Sequence, residues 1–377
     1  METYLRDLLA ALVSCGVRCT ALVHTRQDQP AQQEDRDLHV YRAKVWFNLA
    51  FAPIAPAMPV LLRRIIKHHR PDLLHLHVPN VAAFWPLLVP GARKLPWIVH
   101  WHADVPTDTD RWYLKLLYRL YRPFENGLLR RATLVITTSP PYAPASEALT
   151  PWRDKCVVVP LGIRADAKLP STTPSPIERE ASDNSLRVLA VGRLSYYKGF
   201  DVLIRAVAET PGVILDLIGD GEEAKPLREL IDALGIPDRV RLLGRVPDAE
   251  REAYLRTCDC LCLPSIERTE AFGVVLLEAM AAGKPCVATA VPGTGMAWVV
   301  QDGVTGLVVP PADADALGSA LCFLKNNPNI RMSMGNAGQL RFRQKFRIEQ
   351  SAEGLLAAYR SVLAGRPPGR TELEAHD

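Results

Sequence analysis

Two glutamates eight positions apart have the spacing that most clearly suggests chemistry. Glu270 lies in the polar loop 265–272, after an apolar run that predicts a buried strand ending at Pro264. Glu278 lies inside an aliphatic segment that Gly273 opens, a pattern that predicts a helix. A helix starting at the carboxyl end of a parallel strand presents free backbone N–H groups. This arrangement indicates a diphosphate site in which Glu278 accepts from ribose hydroxyls and Glu270 reaches toward a sugar.

A second segment, residues 186–204, adds two cations. It runs from an apolar strand through Gly192 and Arg193 to Lys198 and then into a helix. Two cations five residues apart on one strand-to-helix loop can converge on a diphosphate, and an arginine can do so with two parallel hydrogen bonds. Taken alone, either segment is more often explained as ordinary charge on a helix face or a basic loop.

Together and in this order, the segments resemble the donor-binding signature of retaining GT-B glycosyltransferases of family 4. The carrying motifs are GRLSYYKG, EAFGVVLLEAMAAGKPCVAT and the eight-position glutamate spacing. Further segments, HWHAD, TTSPPY, VVPLGI and GTGMAWV, are similar to members that build lipid-linked bacterial polysaccharides. The resemblance implies that Arg193 and Lys198 bind the diphosphate and stabilise charge on it as it leaves. It also implies that Glu270 binds sugar hydroxyls and that Glu278 binds ribose.

The resemblance assigns further donor contacts to three short segments. These are a strand that ends in G-x-G, a strand whose following backbone contacts the nucleobase, and the start of the helix that carries Glu278. The residues are Gly219 and Gly221, Arg245 and Val246, and Phe272, Gly273, Val274 and Val275.

Histidines cluster in the first half of the chain, in the motifs HLH at 75–77 and HWH at 100–102. Alternate strand positions share one face, but no carboxylate or cysteine completes a recognisable ligand set, so we predict no metal site. The resemblance implies that His102 ends a strand and hydrogen-bonds a sugar hydroxyl. His100 is predicted to face the packing of the sheet, although the shared parity would also allow the reverse assignment. The acidic DAD motif at 313–315 is predicted to supply a helix N-cap, Asp313.

The length of 377 residues and the alternation of strand-like and helical stretches predict two α/β domains. With the resemblance, the fold class is α/β of the GT-B type, in which two Rossmann-like domains face each other across a cleft. The predicted boundaries are an N-terminal acceptor-binding domain 1–164, a linker 165–185, a donor-binding domain 186–345, a crossing helix 346–364 and a tail 365–377.

The start of the chain departs from the family pattern. It begins with an amphipathic helix that contains Glu2, whereas a family member begins with a strand and a Gly-Gly loop. We therefore expect the N-terminal sheet to lack its first strand. The interpretation is either a start codon placed too far downstream or a degenerate gene.

Charge divides unevenly along the chain. Residues 1–164 contain 21 Lys and Arg against 13 Asp and Glu, whereas residues 165–377 contain 24 against 28. The densest basic stretches are 63–70 and 111–131, which could meet anionic lipid headgroups or a lipid-diphosphate acceptor. Solvated helix faces remain the alternative. Because no nucleic-acid reader motif is present, we do not expect nucleic acid to be a partner.

Several features predict a cytoplasmic protein, peripheral at most to the inner face of the plasma membrane. No signal peptide is visible. The uncharged run 45–62 contains Asn48 and three prolines, which argues against a membrane span. The eight cysteines fit a reducing compartment, and those at 258, 260 and 262 alternate along a predicted buried strand.

The prediction is a retaining, metal-independent hexosyltransferase without a cofactor. Its substrate would be a UDP- or GDP-sugar, with mannose favoured, and its acceptor a lipid-linked molecule or a saccharide. The alternatives are a same-fold epimerase or phosphorylase, or an inactive relic that only binds nucleotide sugar. A phosphorylase would need a lysine that carries pyridoxal phosphate, and the sequence identifies none.

Overall fold

A computed structural model describes residues 2–25, 32–35, 37–49, 52–105, 112–164 and 185–365. The chain divides into two compact units. The first comprises residues 1–161 with 348–377, and the second comprises residues 162–347. The predicted linker lies outside the described residues apart from Ser185, and the predicted tail apart from Gly365.

The described residues of the first unit begin with a helix and include nine strands. Its helices are α1 (Glu2–Ser14), α2 (Met58–His69), α3 (Trp112–Arg131), α4 (Tyr142–Ala145) and, from the end of the chain, α12 (Ile348–Leu363). Its strands are β1 (Cys19–Thr25), β2 (Gln32–Asp35), β3 (Leu38–Lys44), β4 (Phe47–Leu49), β5 (Ala52–Ile54), β6 (Leu74–Val78), β7 (Trp97–Trp101), β8 (Leu134–Thr137) and β9 (Cys156–Val158). Short 3-10 turns cover Val81–Leu87, Ala92–Lys94 and Thr150–Lys155.

The strands of the first unit form separate sheets. Strands β6, β7, β8 and β9 form a parallel sheet in that order, and β7 and β8 are buried along their whole length. Continuous apolar runs of this kind are typical of parallel strands covered on both faces. Strand β3 pairs with β1 in parallel and with β2 antiparallel, and β4 pairs with β5. Among the described strands, β1 pairs only with β3, and β6 only with β7.

The second unit is a single parallel sheet with helices. Its strands are β10 (Leu186–Val191), β11 (Val213–Ile218), β12 (Val240–Gly244), β13 (Cys260–Leu263), β14 (Cys286–Thr289) and β15 (Gly306–Val309). Its helices are α5 (Phe200–Glu209), α6 (Ala224–Ala233), α7 (Asp248–Thr257), α8 (Val274–Ala281), α9 (Met296–Val299), α10 (Ala314–Asn326) and α11 (Pro328–Lys345), with a 3-10 turn at Tyr196–Lys198. The predicted α/β class with parallel sheets is confirmed.

The strand order of this sheet creates a place for a ligand. The order is β12-β11-β10-β13-β14-β15, so the chain runs outward from β10 in one direction and then outward from β13 in the other. In open parallel sheets, ligands bind outside the carboxyl ends of the strands where the order reverses. That position lies between β10 and β13, whose following loops carry Lys198 and Glu270.

Two local predictions in this unit are confirmed. The Asp313 side chain accepts a hydrogen bond from the backbone N–H of Ala316 at 2.8 Å and so caps α10. Cys260 and Cys262 are free thiols buried on β13, where they act as small apolar side chains; Cys258, predicted on the same strand, is also buried but lies before it, at the end of α7.

Two glycines allow the loops after β10 and β11 to touch backbone to backbone. A Cβ atom on Gly219 would lie 1.8 Å from the carbonyl oxygen of Gly192, and one on Gly221 would lie 2.2 Å from that of Leu194. Gly219 also has a φ of 149°, a conformation that other residues rarely adopt. The first residues of the cationic loop, next to Arg193, are therefore fixed by the G-x-G segment.

We predict that Gly219→Ala lowers the free energy of unfolding by about 3 kcal/mol or more, because the methyl group meets backbone that has no room to move. Gly235→Ala is the matched control, since Gly235 also has a positive φ but open space around it. It should cost about 1 kcal/mol. Urea denaturation of both variants checks this, and equal midpoints would contradict the close packing of the two loops.

Candidate active site

An ion pair joins the loops that follow the two central strands. The Lys198 ammonium contacts the Glu270 carboxylate, and the two side chains are only 10% and 15% exposed. Backbone contacts hold the loops together beside this pair. The N–H of Ile266 donates to the carbonyl of Tyr197 at 2.8 Å, and a Cβ on Gly199 would lie 2.3 Å from the carbonyl oxygen of Pro264. The pair is therefore built into rigid, half-buried backbone.

Arg193 lies on the same loop as Lys198 but is much more open to solvent. Its side chain is 61% exposed and forms an ion pair with Glu222 at 3.0 Å. Glu222 directly follows the G-x-G segment, so this pair joins the loop after β10 to the loop after β11. Both cations predicted to hold a diphosphate thus have carboxylate partners in this structure.

The helix α8 begins at the edge of this site. Its N-cap is Gly273, with a φ of 82°, and Val274 and Val275 form its first turn. The backbone N–H groups of a first helical turn have no partners inside the helix and carry the positive end of its dipole. Phe272 points the other way, since it is buried against the rings of Trp298 and Phe346. Phe272 therefore anchors the loop before α8, and the first turn of α8 supplies the hydrogen-bond donors.

Glu278 lies one turn further along α8 and has a partner that the sequence did not reveal. Its Oε2 accepts a hydrogen bond from Arg251 Nη1 at 2.6 Å. Burial raises the pKa of the Glu278 carboxyl, and the positive charge of Arg251 opposes that rise. Arg251 lies 27 positions away in the chain, on α7, so no local spacing could have indicated the contact.

The predicted nucleobase segment follows β12. Arg245 is 84% exposed and lies 3.5 Å from Asp220, the middle residue of the G-x-G segment. The N–H of Gly219 donates to the carbonyl of Gly244 at 2.9 Å, which fixes the start of this segment; Val246 is half-buried. The loops after β10, β11, β12 and β13 therefore form one continuous edge that holds the predicted donor residues of the second unit.

The remaining predicted site residue, His102, lies in the first unit. His102 Nε2 is 2.9 Å from His77 Nδ1, so one of these nitrogens donates to the other. Four histidine rings stack along β6 and the end of β7, with centroid distances between 4.2 and 5.4 Å; they belong to His75, His77, His100 and His102. Both His100 and His102 are buried, at 0% and 6% exposure, so the sheet packs around both. The sugar-binding role of His102 stays a prediction.

The same histidines bear on metal binding. His75, His77 and His100 offer ring nitrogens that lie within 4.8 Å of one another. Their rings are close to parallel, with interplanar angles of 4°, 24° and 27°. Parallel rings direct their in-plane lone pairs side by side and not toward one point. Coordination of one ion by all three would therefore require the rings to turn.

Tyrosines cover the histidine group. Tyr4 of α1 meets the rings of His100 and His102 edge-on, and the Tyr359 hydroxyl of α12 lies 2.6 Å from His75 Nδ1. Among the residues that the structure describes, both ring nitrogens of His100 and the Tyr4 hydroxyl are buried without a hydrogen-bond partner. Burial lowers the pKa of all four histidines, which favours their uncharged form.

Comparisons with known proteins agree with this architecture. Residues 175–341 match the family model described as glycosyl transferases group 1, and residues 1–162 match the glycosyl transferase 4-like domain. The solved structure of HepE from Anabaena with UDP and glucose aligns with a TM-score of 0.71 at 22% identity, covering 94% of this chain and 95% of that one. The fold is that of the GT-B glycosyltransferases, and the chain is a glycosyltransferase.

Two relatives extend the match over most of the chain. The D-rhamnosyltransferase WbpZ of Pseudomonas aeruginosa is 30% identical over 81% of this chain and 77% of its own length. The O-antigen chain mannosyltransferase C of Escherichia coli is 29% identical over 80% of this chain and 76% of its own length. The chain therefore belongs to the glycosyl transferases group 1 family, and the resemblance read from its motifs is confirmed.

The buried histidines predict that the first unit is sensitive to acid. Burial lowers the pKa of His77 to about 4 and holds the pKa values of the other three well below their usual range. The unfolded chain binds protons near pH 6.5, so it holds more protons than the folded chain below that pH. The free energy of unfolding should then fall as the pH drops from about 6.5 toward 4, by about 1.4 kcal/mol per pH unit for each such histidine.

Urea denaturation between pH 7.5 and 4.5 measures this slope. His100→Phe should make it shallower, because phenylalanine keeps the ring and removes a titrating group whose nitrogens have no partner among the described residues. His68→Gln, at an exposed position of α2, is the control and should leave the slope unchanged. A slope in His100→Phe equal to that of the parent would show that His100 does not contribute to the acid sensitivity.

Proposed function

We propose that this glycosyltransferase moves a hexose, with mannose favoured, from a GDP- or UDP-sugar to a lipid-linked or saccharide acceptor, with retention of configuration and without a metal ion. The observation that carries the proposal is the pairing of Lys198 with Glu270 beside the start of α8. It places a cation, a hydrogen-bond acceptor and free backbone N–H groups at one edge of the sheet. These are the groups that a sugar joined to a diphosphate requires.

In the proposed donor complex, the diphosphate lies at the first turn of α8 and accepts from the N–H groups of Val274 and Val275. Arg193 turns toward its oxygens, and Lys198, which is fixed between its two loops, lies beside them. When the bond between the anomeric carbon and the diphosphate breaks, the leaving oxygen gains negative charge, and preorganised cations and N–H groups stabilise that charge. Two protein cations and a helix start supply the charge compensation that a metal ion provides in other sites.

In the proposed reaction, the configuration at the anomeric carbon is retained because substitution takes place on the front face of the sugar. The acceptor oxygen bonds to the anomeric carbon on the face that the diphosphate leaves, and the acceptor proton passes to a departing phosphate oxygen. Glu270 is held by Lys198, so in this proposal its role is to bind sugar hydroxyls and not to attack carbon. Glu278 binds the ribose at the other end of the diphosphate.

The choice of sugar, base and acceptor is supported by relatives. One relative above is named a D-rhamnosyltransferase and the other an O-antigen chain mannosyltransferase, and a third relative, from Rhizobium meliloti, is named a lipopolysaccharide core biosynthesis glycosyltransferase. The structural neighbour HepE was solved with UDP and glucose. We therefore place this chain in surface polysaccharide or glycolipid assembly, with GDP-mannose as the first donor to test and UDP-sugars as the second.

Radiolabelled GDP-mannose and UDP-sugars with a membrane extract test the transfer itself. The proposal expects label in a lipid-extractable or polymeric product, an α-linkage from an α-configured donor by NMR, and activity that survives EDTA. Label that appears only as an epimerised nucleotide sugar would favour the epimerase alternative. Nucleotide binding without any transfer would favour the inactive relic.

Substitutions in the donor site should separate binding from catalysis. Glu278→Ala removes ribose contacts that are similar in the ground and transition states, so it should mainly raise the donor KM. Arg193→Ala and Lys198→Ala remove charge that opposes the developing negative charge, so each should lower kcat by about 100-fold or more. Initial rates, with calorimetry of GDP and UDP, measure both effects.

Arg228→Ala is the control for this series, because Arg228 is exposed on α6 and does not belong to the loops that carry the predicted site residues. It should leave kcat, KM and nucleotide affinity unchanged. Nucleotide affinity unaffected by all three site substitutions, in protein shown to be folded, would mean that the donor site lies elsewhere.

We further propose that the first unit binds the cytoplasmic face of an anionic membrane. Among the helices that the structure describes, none combines the length and the apolar composition that a membrane crossing requires. Helix α2 exposes Arg63, Arg64 and Lys67. Helix α3 lines an open depression of about 460 Å³ with arginines and also exposes Leu120 at 64%. Exposed cations beside exposed apolar side chains favour an anionic lipid surface.

Replacing Arg63, Arg64 and Lys67 together with glutamate should release the protein from vesicles that contain anionic lipid, since each cation near such a surface contributes about 1 kcal/mol. The control is Lys225→Glu with Arg228→Glu on α6, which should sediment with the vesicles as the parent does. Sedimentation that is equal for both variants, or absent for the parent, would remove the membrane from the proposal.

A further inference from the structure

We infer that Arg251 is a positioning residue for the nucleoside part of the donor: it holds Glu278 so that one carboxylate oxygen is turned to the ribose. The inference rests on the proposed function, because it assumes that Glu278 meets a ribose. Arg251 does not itself touch the ribose in this account. It acts through the carboxylate that it binds.

The contacts of Arg251 leave it little freedom. Its Nη1 donates to Glu278 Oε2 at 2.6 Å, and Nη2 lies 3.5 Å from Asp248. Its backbone N–H donates to the carbonyl of Pro247 at 3.0 Å. The side chain is 28% exposed and that of Glu278 is 23% exposed, so the pair is largely shielded from water. A short, charge-assisted bond in such a place fixes the carboxylate group.

The position of Arg251 in the fold links two parts of the predicted nucleoside site. It lies in the first turn of α7, directly after the segment with Arg245 and Val246 that is predicted to meet the base. Its guanidinium reaches α8, where Glu278 is predicted to meet the ribose. One residue therefore sets the distance between the base segment and the ribose acceptor.

The charge of Arg251 also has a chemical purpose. A shielded carboxyl tends to take up a proton, and a protonated carboxyl is a poorer acceptor for ribose hydroxyls. A cation bonded to Oε2 favours the ionised form and leaves Oε1 open to accept. Burial raises the pKa of Glu278 even with Arg251 present, so loss of the cation should raise it further.

A purely structural ion pair between α7 and α8 would behave differently. Its loss would lower the free energy of unfolding but would leave the preference for ribose hydroxyls unchanged in the folded protein. The test therefore compares ligands that differ only in those hydroxyls. It also includes a ligand that occupies the diphosphate subsite alone.

The experiment measures three dissociation constants by calorimetry: for GDP or UDP, whichever the parent binds more tightly; for its 2′,3′-dideoxy analogue; and for inorganic pyrophosphate. The variants are Arg251→Lys, Arg251→Gln and Glu278→Gln, with Arg228→Gln as the matched control on α6. Urea denaturation verifies that each is folded. Lysine keeps the positive charge and glutamine keeps a hydrogen-bond donor. The two variants therefore distinguish the effect of the charge of Arg251 from the effect of its hydrogen bond to Glu278.

We expect the parent to prefer the ribonucleotide over its dideoxy analogue by about tenfold or more, as hydrogen bonds to a charged group do. Arg251→Gln and Glu278→Gln should reduce that ratio to about threefold or less, and Arg251→Lys should keep most of it. Pyrophosphate affinity should stay within about twofold in every variant. Arg228→Gln should match the parent throughout.

The pH dependence of the preference for the ribonucleotide over its dideoxy analogue is a further test, because a change in packing alone would not alter it. Burial and the nearby charges of Asp248 and Glu252 raise the pKa of Glu278, so the preference for the ribonucleotide should decrease as the pH is lowered and Glu278 takes up a proton. In Arg251→Gln this decrease should occur at a higher pH than in the parent, because the carboxylate no longer has its cation.

The outcomes separate the two proposals. If Glu278→Gln reduces the preference for the ribonucleotide but Arg251→Gln leaves it unchanged at all pH values, the positioning role of Arg251 is overturned. The proposed donor site is then still supported. A ratio unchanged in both variants overturns the ribose role of Glu278 as well. A parent that binds neither nucleotide nor pyrophosphate overturns the proposed function and this inference with it.

Discussion

The contact between Lys198 and Glu270 is the interaction on which the edge formed by the loops after β10, β11, β12 and β13 depends. It joins the loops that follow β10 and β13, the two strands between which the strand order reverses. A shielded ion pair gains little net stability, because removing two charges from water costs about as much as their attraction returns. Losing one partner, however, leaves a charge without compensation. The pair therefore imposes a geometry: the cation, the acceptor and the start of α8 stay together.

Much of this site could be predicted from the sequence because its elements are local. The strand before Pro264, the loop with Glu270 and the helix with Glu278 occupy one continuous stretch, and hydrophobic periodicity separates them. The same holds for Arg193 and Lys198 on their single loop. Residues that are close in sequence are also close in space when one loop joins a strand to a helix. The motifs could therefore indicate which residues lie near one another.

The partners of these residues could not be predicted, because they come from distant parts of the chain. Glu222 lies 29 positions after Arg193, and Arg251 lies 27 positions before Glu278. The histidine group shows the same limit. Sequence parity places His75 and His77 on one face of β6, but only the register of β6 against β7, which sets His77 opposite His100, stacks the rings. Register is a property of the pairing and not of either strand.

Arg193 and Lys198 differ in a way that suits two stages of the proposed reaction. Arg193 is 61% exposed, and exposed ion pairs contribute about 0 to 1 kcal/mol, so exchange of Glu222 for a phosphate oxygen costs little. Lys198 is 10% exposed and is fixed between two loops, so it need not reorganise when the leaving oxygen gains charge. An exchangeable arginine can move onto an incoming diphosphate and stay on it as negative charge develops, and an immobile lysine is already in place for the transition state. The fold produces this difference by placing Arg193 at the open start of the loop and Lys198 against the neighbouring strand's loop.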